Sequence, residues 1–404
     1  MTNDIFAPPL KTISHSSMMM AMHFLKGRRP EKLGKVAWVT SGAPVELLRT
    51  LDFYTFYPEN HGAVCGSSHQ SVSISIEAEN LGYSRDLCSY ARTDIGSILS
   101  GKTPLRTIPP PDLLVACTNI CQTVLHWYRV LAHRFNVPLV LIDTPFIYDE
   151  AADHAVAYVQ KQIEEAVKVI ETVASQSLDM KRFREVTSLS RKASQLWMQI
   201  LDLCQQRPAP ISAVDQFIAM APIVSLRGEV KTVDIYGKML EEVEERVVQG
   251  IGALRNERKR LLWDNLPIWY ALRYLADFLG TRGIVLAAST YTSAWGKLAN
   301  MFNPDNPFES AARTYMHPIL NRSTGDKMKT MMKMVNDFHL DGVILHSDRS
   351  CKPYSIGQMD QRDRFINEHG IPALLLEADH NDSRSFSEEQ TSNRLEAFCE
   401  MLGV

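Results

Sequence analysis

Six short apolar runs constrain this chain more than any other feature: Lys35 to Thr40, Leu113 to Cys117, Val137 to Ile142, Gly283 to Ser289, Asp341 to His346 and Ile371 to Leu376. None alternates apolar with polar. A strand that is apolar on both faces must be covered on both, which is how parallel strands flanked by helices read. Ser, Thr, Pro, Asp or Gly follow Thr40, Asp143 and His346, and helical periodicity resumes downstream, as in Ser355 to Glu368 and Gln390 to Met401. The expected class is α/β with parallel sheets.

From Ala151 to Leu262 the pattern changes. No strand-like run is apparent there, and Val156, Val159, Ile163, Val167, Ile170 and Val173 recur at helical spacing. The expected organisation is therefore a first α/β domain with an N-terminal helix over residues 1–150, a helical region over 151–262, and a second α/β domain over 263–404. A length of 404 residues suffices for two or three domains with real cores. No short-period repeat or low-complexity tract interrupts this plan.

Charge and hydropathy exclude several functions. Lys and Arg number 43 against 46 Asp and Glu, a net charge of -3, which gives no overall field to recruit nucleic acid. No apolar run approaches the roughly 18 residues of a membrane span. The Met18 to Met22 stretch has no basic region before it and soon meets Lys26-Gly27-Arg28-Arg29, so an amphipathic helix is expected there, not a signal peptide. A cytoplasmic protein follows, and with it reduced cysteines: Cys65, Cys88, Cys117, Cys121, Cys204, Cys351 and Cys399 should be thiols or metal ligands before they are disulfides.

The common phosphate-binding and hydrolase motifs are missing. There is no Gly-x-x-x-x-Gly-Lys-Ser/Thr, no Gly-x-Gly-x-x-Gly after the first strand, no Gly-x-Ser-x-Gly and no His-Glu-x-x-His. The cysteines are more informative. Cys121 and Cys351 each follow an apolar run closely, and ligand sites in open parallel sheets lie beyond the carboxyl ends of strands. Cys88 sits in a polar turn that enters a helix, where a thiolate gains from the positive dipole end. Without a Cys-x-x-Cys pair the set is a poor structural zinc site. An iron–sulfur cluster tolerates such spacing, and three ligands on a four-iron cube leave one iron open. Spacing alone leaves buried, inert cysteines as the alternative. Cys117 lies inside its apolar run and is expected in the core; His346, Arg349 and Lys352 flank the third cysteine and suit either a supporting or an ordinary structural role.

Several strings together resemble one family. Tyr57-Pro58-Glu59-Asn60, Leu87-Cys88-Ser89-Tyr90-Ala91-Arg92, Asn119-Ile120-Cys121 with Trp127-Tyr128, and Asp348-Arg349-Ser350-Cys351-Lys352-Pro353 are similar, in order and approximate spacing over nearly the whole chain, to the α-subunit type of 2-hydroxyacyl-CoA dehydratase. The same superfamily contains the ATP-dependent benzoyl-CoA reductases, and the Ala288 to Thr292 strand end is similar to that branch. The resemblance implies a [4Fe-4S] cluster on Cys88, Cys121 and Cys351 in the cleft between the domains. It also implies an acyl-CoA substrate, a homologous second subunit in a heterodimer, and a separate ATP-dependent activator protein that injects electrons. Within it, Ser41 corresponds to a serine that hydrogen-bonds the open cluster ligand or substrate oxygen, and Glu59 to a glutamate near the leaving hydroxyl group. Their ordinary alternatives are a helix N-cap for Ser41 and a solvated loop carboxylate for Glu59.

The expected function is elimination of water from a 2-hydroxyacyl-CoA through a ketyl radical, after ATP-driven one-electron reduction. Two other readings compete: a subunit of an ATP-dependent aryl-CoA reductase, and a non-catalytic scaffold subunit of such a complex.

Overall fold

Each half of the chain builds the same small parallel sheet. The structure, a computed structural model, describes residues 5–404. In the first half, β1 (Val36–Val39), β2 (Tyr54–Phe56), β3 (Leu113–Cys117) and β4 (Leu139–Ile142) lie in the order β2-β1-β3-β4. In the second, β5 (Lys259–Asp264), β6 (Ile284–Ser289), β7 (Gly342–Asp348) and β8 (Ala373–Ala378) lie in the order β6-β5-β7-β8. Every neighbouring pair is parallel. Both sheets start in the middle, step once to one side and then cross back, so each reverses its direction of growth at a central pair, β1/β3 and β5/β7. The crevice beyond the carboxyl ends of such a pair is where open α/β sheets take their ligands.

The apolar runs lack alternation because both faces of each sheet are covered. Val36, Trp38, Leu114 and Ala116 point into a cluster with Trp127 and Tyr128. Ala37, Val39, Leu113, Val115 and Cys117 point the other way, onto Val156, Val159, Ile163 and Ile170 of the helix Asp153–Ala174. In the second sheet, Leu262, Val343 and Leu345 face one core and Leu261, Trp263 and Ile344 the other. Each such side chain contributes roughly 1.5–3 kcal/mol by leaving water, so neither face can be stripped cheaply.

Two strands lie outside the six apolar runs. β2 is three residues long, held between Asp52 in the left-handed region (φ 58°) and the helix that opens at Pro58, too short for periodicity to register. β5 begins at Lys259, so its first four residues occupy sequence whose pattern reads as the end of the helical stretch closing at Leu262. Its Arg260 is fully buried because the guanidinium donates to the carbonyls of Cys204 and Gln205.

The intervening segment is otherwise helical, with Asp153–Ala174, Met180–Asp202 and Val230–Gln249 as its long members. The helix Met180–Asp202 bridges the halves: Ser190 donates to Glu46 of the first and Trp197 Nε1 to the Thr292 carbonyl of the second, at 2.7 and 2.9 Å. The expected N-terminal helix spans Lys11–Gly27, and Glu242 accepts the backbone N–H groups of Lys11 and Thr12 at its start. No helix among the described residues is long and apolar enough to cross a membrane.

Candidate active site

Cys88, Cys121 and Cys351 occupy the same local position: each is the residue immediately before a helix, Ser89–Ser100, Gln122–Phe135 and Lys352–Ser355 respectively. The first N–H groups of a helix have no internal acceptor and carry partial positive charge, so an anionic sulfur is favoured there. Cys121 Sγ already accepts from Val124 N at 3.4 Å. All three cysteines, with Ser41 and Glu59, line one cavity of about 150 Å³. Its wall comes from both halves: the ends of β1 and β3 contribute Ser41 and Cys121, and the segments after β5, β7 and β8 contribute Leu266, Cys351 and His380. The two switch points therefore open onto one space.

The donor set suits a multi-iron cluster better than a single metal ion. Burial pushes the Cys121 thiol up to about 12, with Cys88 adding to the effect. Cys351 is held well above the ordinary thiol range by burial first, then by Asp348, Cys88 and Cys121. Such thiols ionise only against a cation. The three sulfurs do not lie mutually within 4.8 Å, whereas one tetrahedral zinc would hold them about 3.8 Å apart. A cubane cluster, with one thiolate on each of several irons, accepts wider separation.

Glu59 is the second residue of the helix Pro58–Ser67, and its Oε1 accepts from Ser41 N at 3.2 Å and from Ser41 Oγ at 3.4 Å. Oε2 is buried and has no hydrogen-bond partner among the described residues. Burial pushes this carboxyl up to about 7, against the opposing hydrogen bonds from its own backbone and from Ser41. Glu59 is thus no solvated loop carboxylate. Nor is Ser41 a cap, since the following helix, Val45–Thr50, starts after Pro44.

The remaining motif residues lock the site together. Asn119 Nδ2 donates to the Gly42 carbonyl at 2.8 Å and to the Tyr315 carbonyl at 2.5 Å, tying the loops after β3 and β1 to the helix Pro307–Met316. A Cβ on Gly42 would stand 2.8 Å from Asn119 Oδ1. Asn119→Ala leaves two buried carbonyls without a donor, and unfolding free energy measured in urea is expected to fall by about 2 kcal/mol; a loss below about 0.5 kcal/mol would show that the carbonyls find other partners. Ser89 Oγ donates to Asp379 at 2.6 Å, and Arg92 pairs with Asp382 at 3.0 Å, so the Cys88 helix is pinned to the loop after β8.

Three acidic and imidazole groups escape a reading of the sequence. His380 Nδ1 meets Asp348 Oδ2 at 2.6 Å and its Nε2 meets Ser89 Oγ at 2.9 Å, while Asp379 stands 3.9 Å away. Burial alone would lower this imidazole, but Asp348 and Asp379 outweigh it, and the group is held well above its ordinary range, with Cys88 as a further partner. The linear signals are position alone: Asp348 opens the string that ends in Cys351-Lys352-Pro353, and Asp379 directly follows β8. His346, by contrast, gives its Nδ1 to the Leu266 carbonyl at 2.7 Å and does not line the cavity. Arg349 pairs with Glu377 at 3.6 Å at the surface. Cys117, Cys204 and Cys399 are buried in cores, and Cys65 is buried beside His61.

Two small parallel sheets that open their switch points onto one space define a two-lobed α/β protein with a cysteine-lined cavity between its halves. The chain belongs to the family described as 2-hydroxyglutaryl-CoA dehydratase, D-component, whose model matches residues 40–402. It is 30% identical to the (R)-2-hydroxyisocaproyl-CoA dehydratase alpha subunit of Clostridioides difficile, over 95% of this chain and 94% of that one. It is 29% identical to the (R)-phenyllactyl-CoA dehydratase alpha subunit of Clostridium sporogenes, over 92% and 90%. A benzoyl-CoA reductase subunit of Thauera aromatica is 27% identical over 97% and 96%, so the superfamily resemblance read from the motifs holds on both branches.

Proposed function

We propose that this chain is the cluster-bearing subunit of a 2-hydroxyacyl-CoA dehydratase, with a [4Fe-4S] cluster on Cys88, Cys121 and Cys351. It would work with a homologous second subunit and an ATP-dependent activator protein. The observation that carries the proposal is the convergence of three cysteines at helix starts, Ser41 and a carboxyl that burial raises to about 7 on one cavity. When bound, the cluster would supply one-electron chemistry and a Lewis-acidic iron.

Removing water from a 2-hydroxyacyl thioester is hard for acid–base groups alone, because the β-hydrogen is not acidic and the hydroxyl leaves from the carbon beside the carbonyl. A ketyl radical anion at the thioester carbonyl expels that hydroxyl and acidifies the β-proton. The chain's own residues then have definable tasks. Glu59 in its acid form gives a proton to the departing hydroxide, and Ser41 holds Oε1 and so orients the carboxyl. Trp127, Tyr291 and Trp295 keep water from the reacting carbons.

Turnover by the assembled enzyme, reduced and supplied with ATP and activator, on a panel of 2-hydroxyacyl-CoA and aryl-CoA thioesters tests the reading. Glu59→Gln is expected to lower turnover by roughly 10²-fold, as positioned acids typically do. Because burial raises the carboxyl, the acid form is favoured below neutrality and is lost as pH rises through about 7, so the wild-type rate should decline on that side. Consumption of aryl-CoA alone, with stoichiometric ATP hydrolysis, would transfer the chain to the reductase reading. Assembly with full activity supplied by the partner subunit would leave it a scaffold.

A further inference from the structure

The cavity that holds the three cysteines is small for a thioester ligand. At about 150 Å³ it lies below the roughly 300–1,000 Å³ of ordinary small-molecule sites. A second cavity of about 540 Å³ adjoins it. Asn60 and Tyr291 line both, and Trp269 on the wall of the larger donates its Nε1 proton to the hydroxyl of Tyr90 on the wall of the smaller. Asn60 Nδ2 in turn donates to Ser225 Oγ, in the larger cavity, at 2.8 Å.

The larger cavity is an apolar slot with cations at one end. Ser17, Met20, Ala21, Phe24 and Leu25 of the helix Lys11–Gly27 line it, followed by Arg28 just past the helix end, and their spacing of three and four residues puts them on one face. From Ser17 to Arg28 the stripe runs roughly 16 Å, at about 1.5 Å per helical residue. Phe217, Met220 and Val224 supply further apolar wall. Beside Arg28 the sequence gathers Lys26, Arg29, Lys32 and Lys35 against Glu31 alone, and all five cations are exposed. Of these five only Lys35 has an ion-pair partner among the described residues, Asp112 at 3.2 Å. Arg28 spends Nε on the Leu105 carbonyl at 3.0 Å, which leaves its two terminal nitrogens for another acceptor. The helix ends here on its negative pole, so an anion at this mouth would be held by side chains and not by backbone N–H groups.

An apolar slot between a cationic mouth and a cysteine-lined cavity fits a ligand with an anionic head, a neutral arm and a reacting tail. We propose that this slot takes the pantetheine arm of an acyl-CoA, with its phosphates on Arg28 and Arg29 and its thioester passing between Asn60 and Tyr291 to the three cysteines. The proposal rests on the reading of the substrate as an acyl-CoA. The extended arm equals four or five residues of backbone in length, roughly 15 Å, which matches the helix stripe. The mouth decides which part of the ligand lies here: an acyl side chain has no use for five exposed cations, whereas the phosphates of CoA do.

Titration calorimetry on the assembled, anaerobic complex tests this without turnover. The probes are butyryl-CoA, which has no 2-hydroxyl group to lose, and S-butyrylpantetheine, which has no phosphates. Arg28→Gln with Arg29→Gln should weaken butyryl-CoA binding by roughly tenfold or more, the scale of a hydrogen bond to a charged group, and leave S-butyrylpantetheine binding as it is. Ala21→Trp, an exposed helix position that lines the slot, should abolish binding of both. Unaltered butyryl-CoA affinity in either variant would overturn the proposal, as would loss of S-butyrylpantetheine binding in the arginine variant. Failure of Ala21→Trp to assemble with the second subunit would give this face to that subunit and overturn it as well. No binding of butyryl-CoA by the unaltered complex would instead sink the acyl-CoA reading itself.

Discussion

Cys351→Ala is expected to abolish iron and sulfide binding in protein purified without oxygen, and with it all turnover, while the chain remains folded. The argument follows from the thiols themselves. Burial pushes Cys121 up to about 12 and holds Cys351 well above the ordinary thiol range, so metal binding must first offset the cost of ionising both. Three sulfurs at three helix starts can meet that cost together; two leave a cluster open on half its irons. Cys88→Ala and Cys121→Ala should behave alike. Cys117→Ala and Cys204→Ala are the controls, since both side chains lie in apolar cores away from the cavity and should alter stability without altering iron content. Iron and sulfide analysis beside circular dichroism reads both effects. Full iron content in a folded Cys351→Ala protein would remove Cys351 from the ligand set.

What sequence can and cannot foretell divides along physical lines. Strands covered on both faces write themselves as unbroken apolar runs, so β1, β3, β4, β6, β7 and β8 are all legible, as is the α/β class. β5 is hidden because its leading Lys259 and Arg260 look solvated, and only the carbonyls of Cys204 and Gln205, more than fifty residues earlier, explain how an arginine is buried there. Cysteines after strand ends can be placed near a ligand crevice by the topology rule alone. The convergence of Cys88 with them cannot, since it depends on Ser89 and Arg92 bonding to Asp379 and Asp382 about 290 positions away. Glu59 is the clearest instance. Its sequence neighbourhood fits an ordinary loop carboxylate, and its acidity near 7 arises from burial that only the folded wall provides.

Arg227→Leu is expected to cost about 3–5 kcal/mol of stability, the usual penalty for leaving one member of a buried ion pair behind. Arg227 and Glu46 are 1% and 2% exposed and meet at 3.1 Å. Ser190 donates to Glu46 Oε1 at 2.7 Å, and the Tyr315 hydroxyl, itself an acceptor from Arg227 at 2.6 Å, donates to Glu46 Oε2 at 2.6 Å. The guanidinium also lies 4.9 Å from the Trp295 ring centre. The Arg227–Glu46 pair thus joins the helix after β1, the long bridging helix and two helices of the second half. Tyr315 and Trp295 also line the cavity that holds the three cysteines. An apolar replacement of the whole pair is often close to neutral, so Arg227→Leu with Glu46→Leu should recover at least half of the loss in urea unfolding. The same double variant should still alter turnover, because Tyr315 then loses both bonds that orient it. Stability restored with turnover unchanged would show that the network holds the halves together but does not shape the cavity; a loss below about 1 kcal/mol for Arg227→Leu alone would show that it does not hold them either.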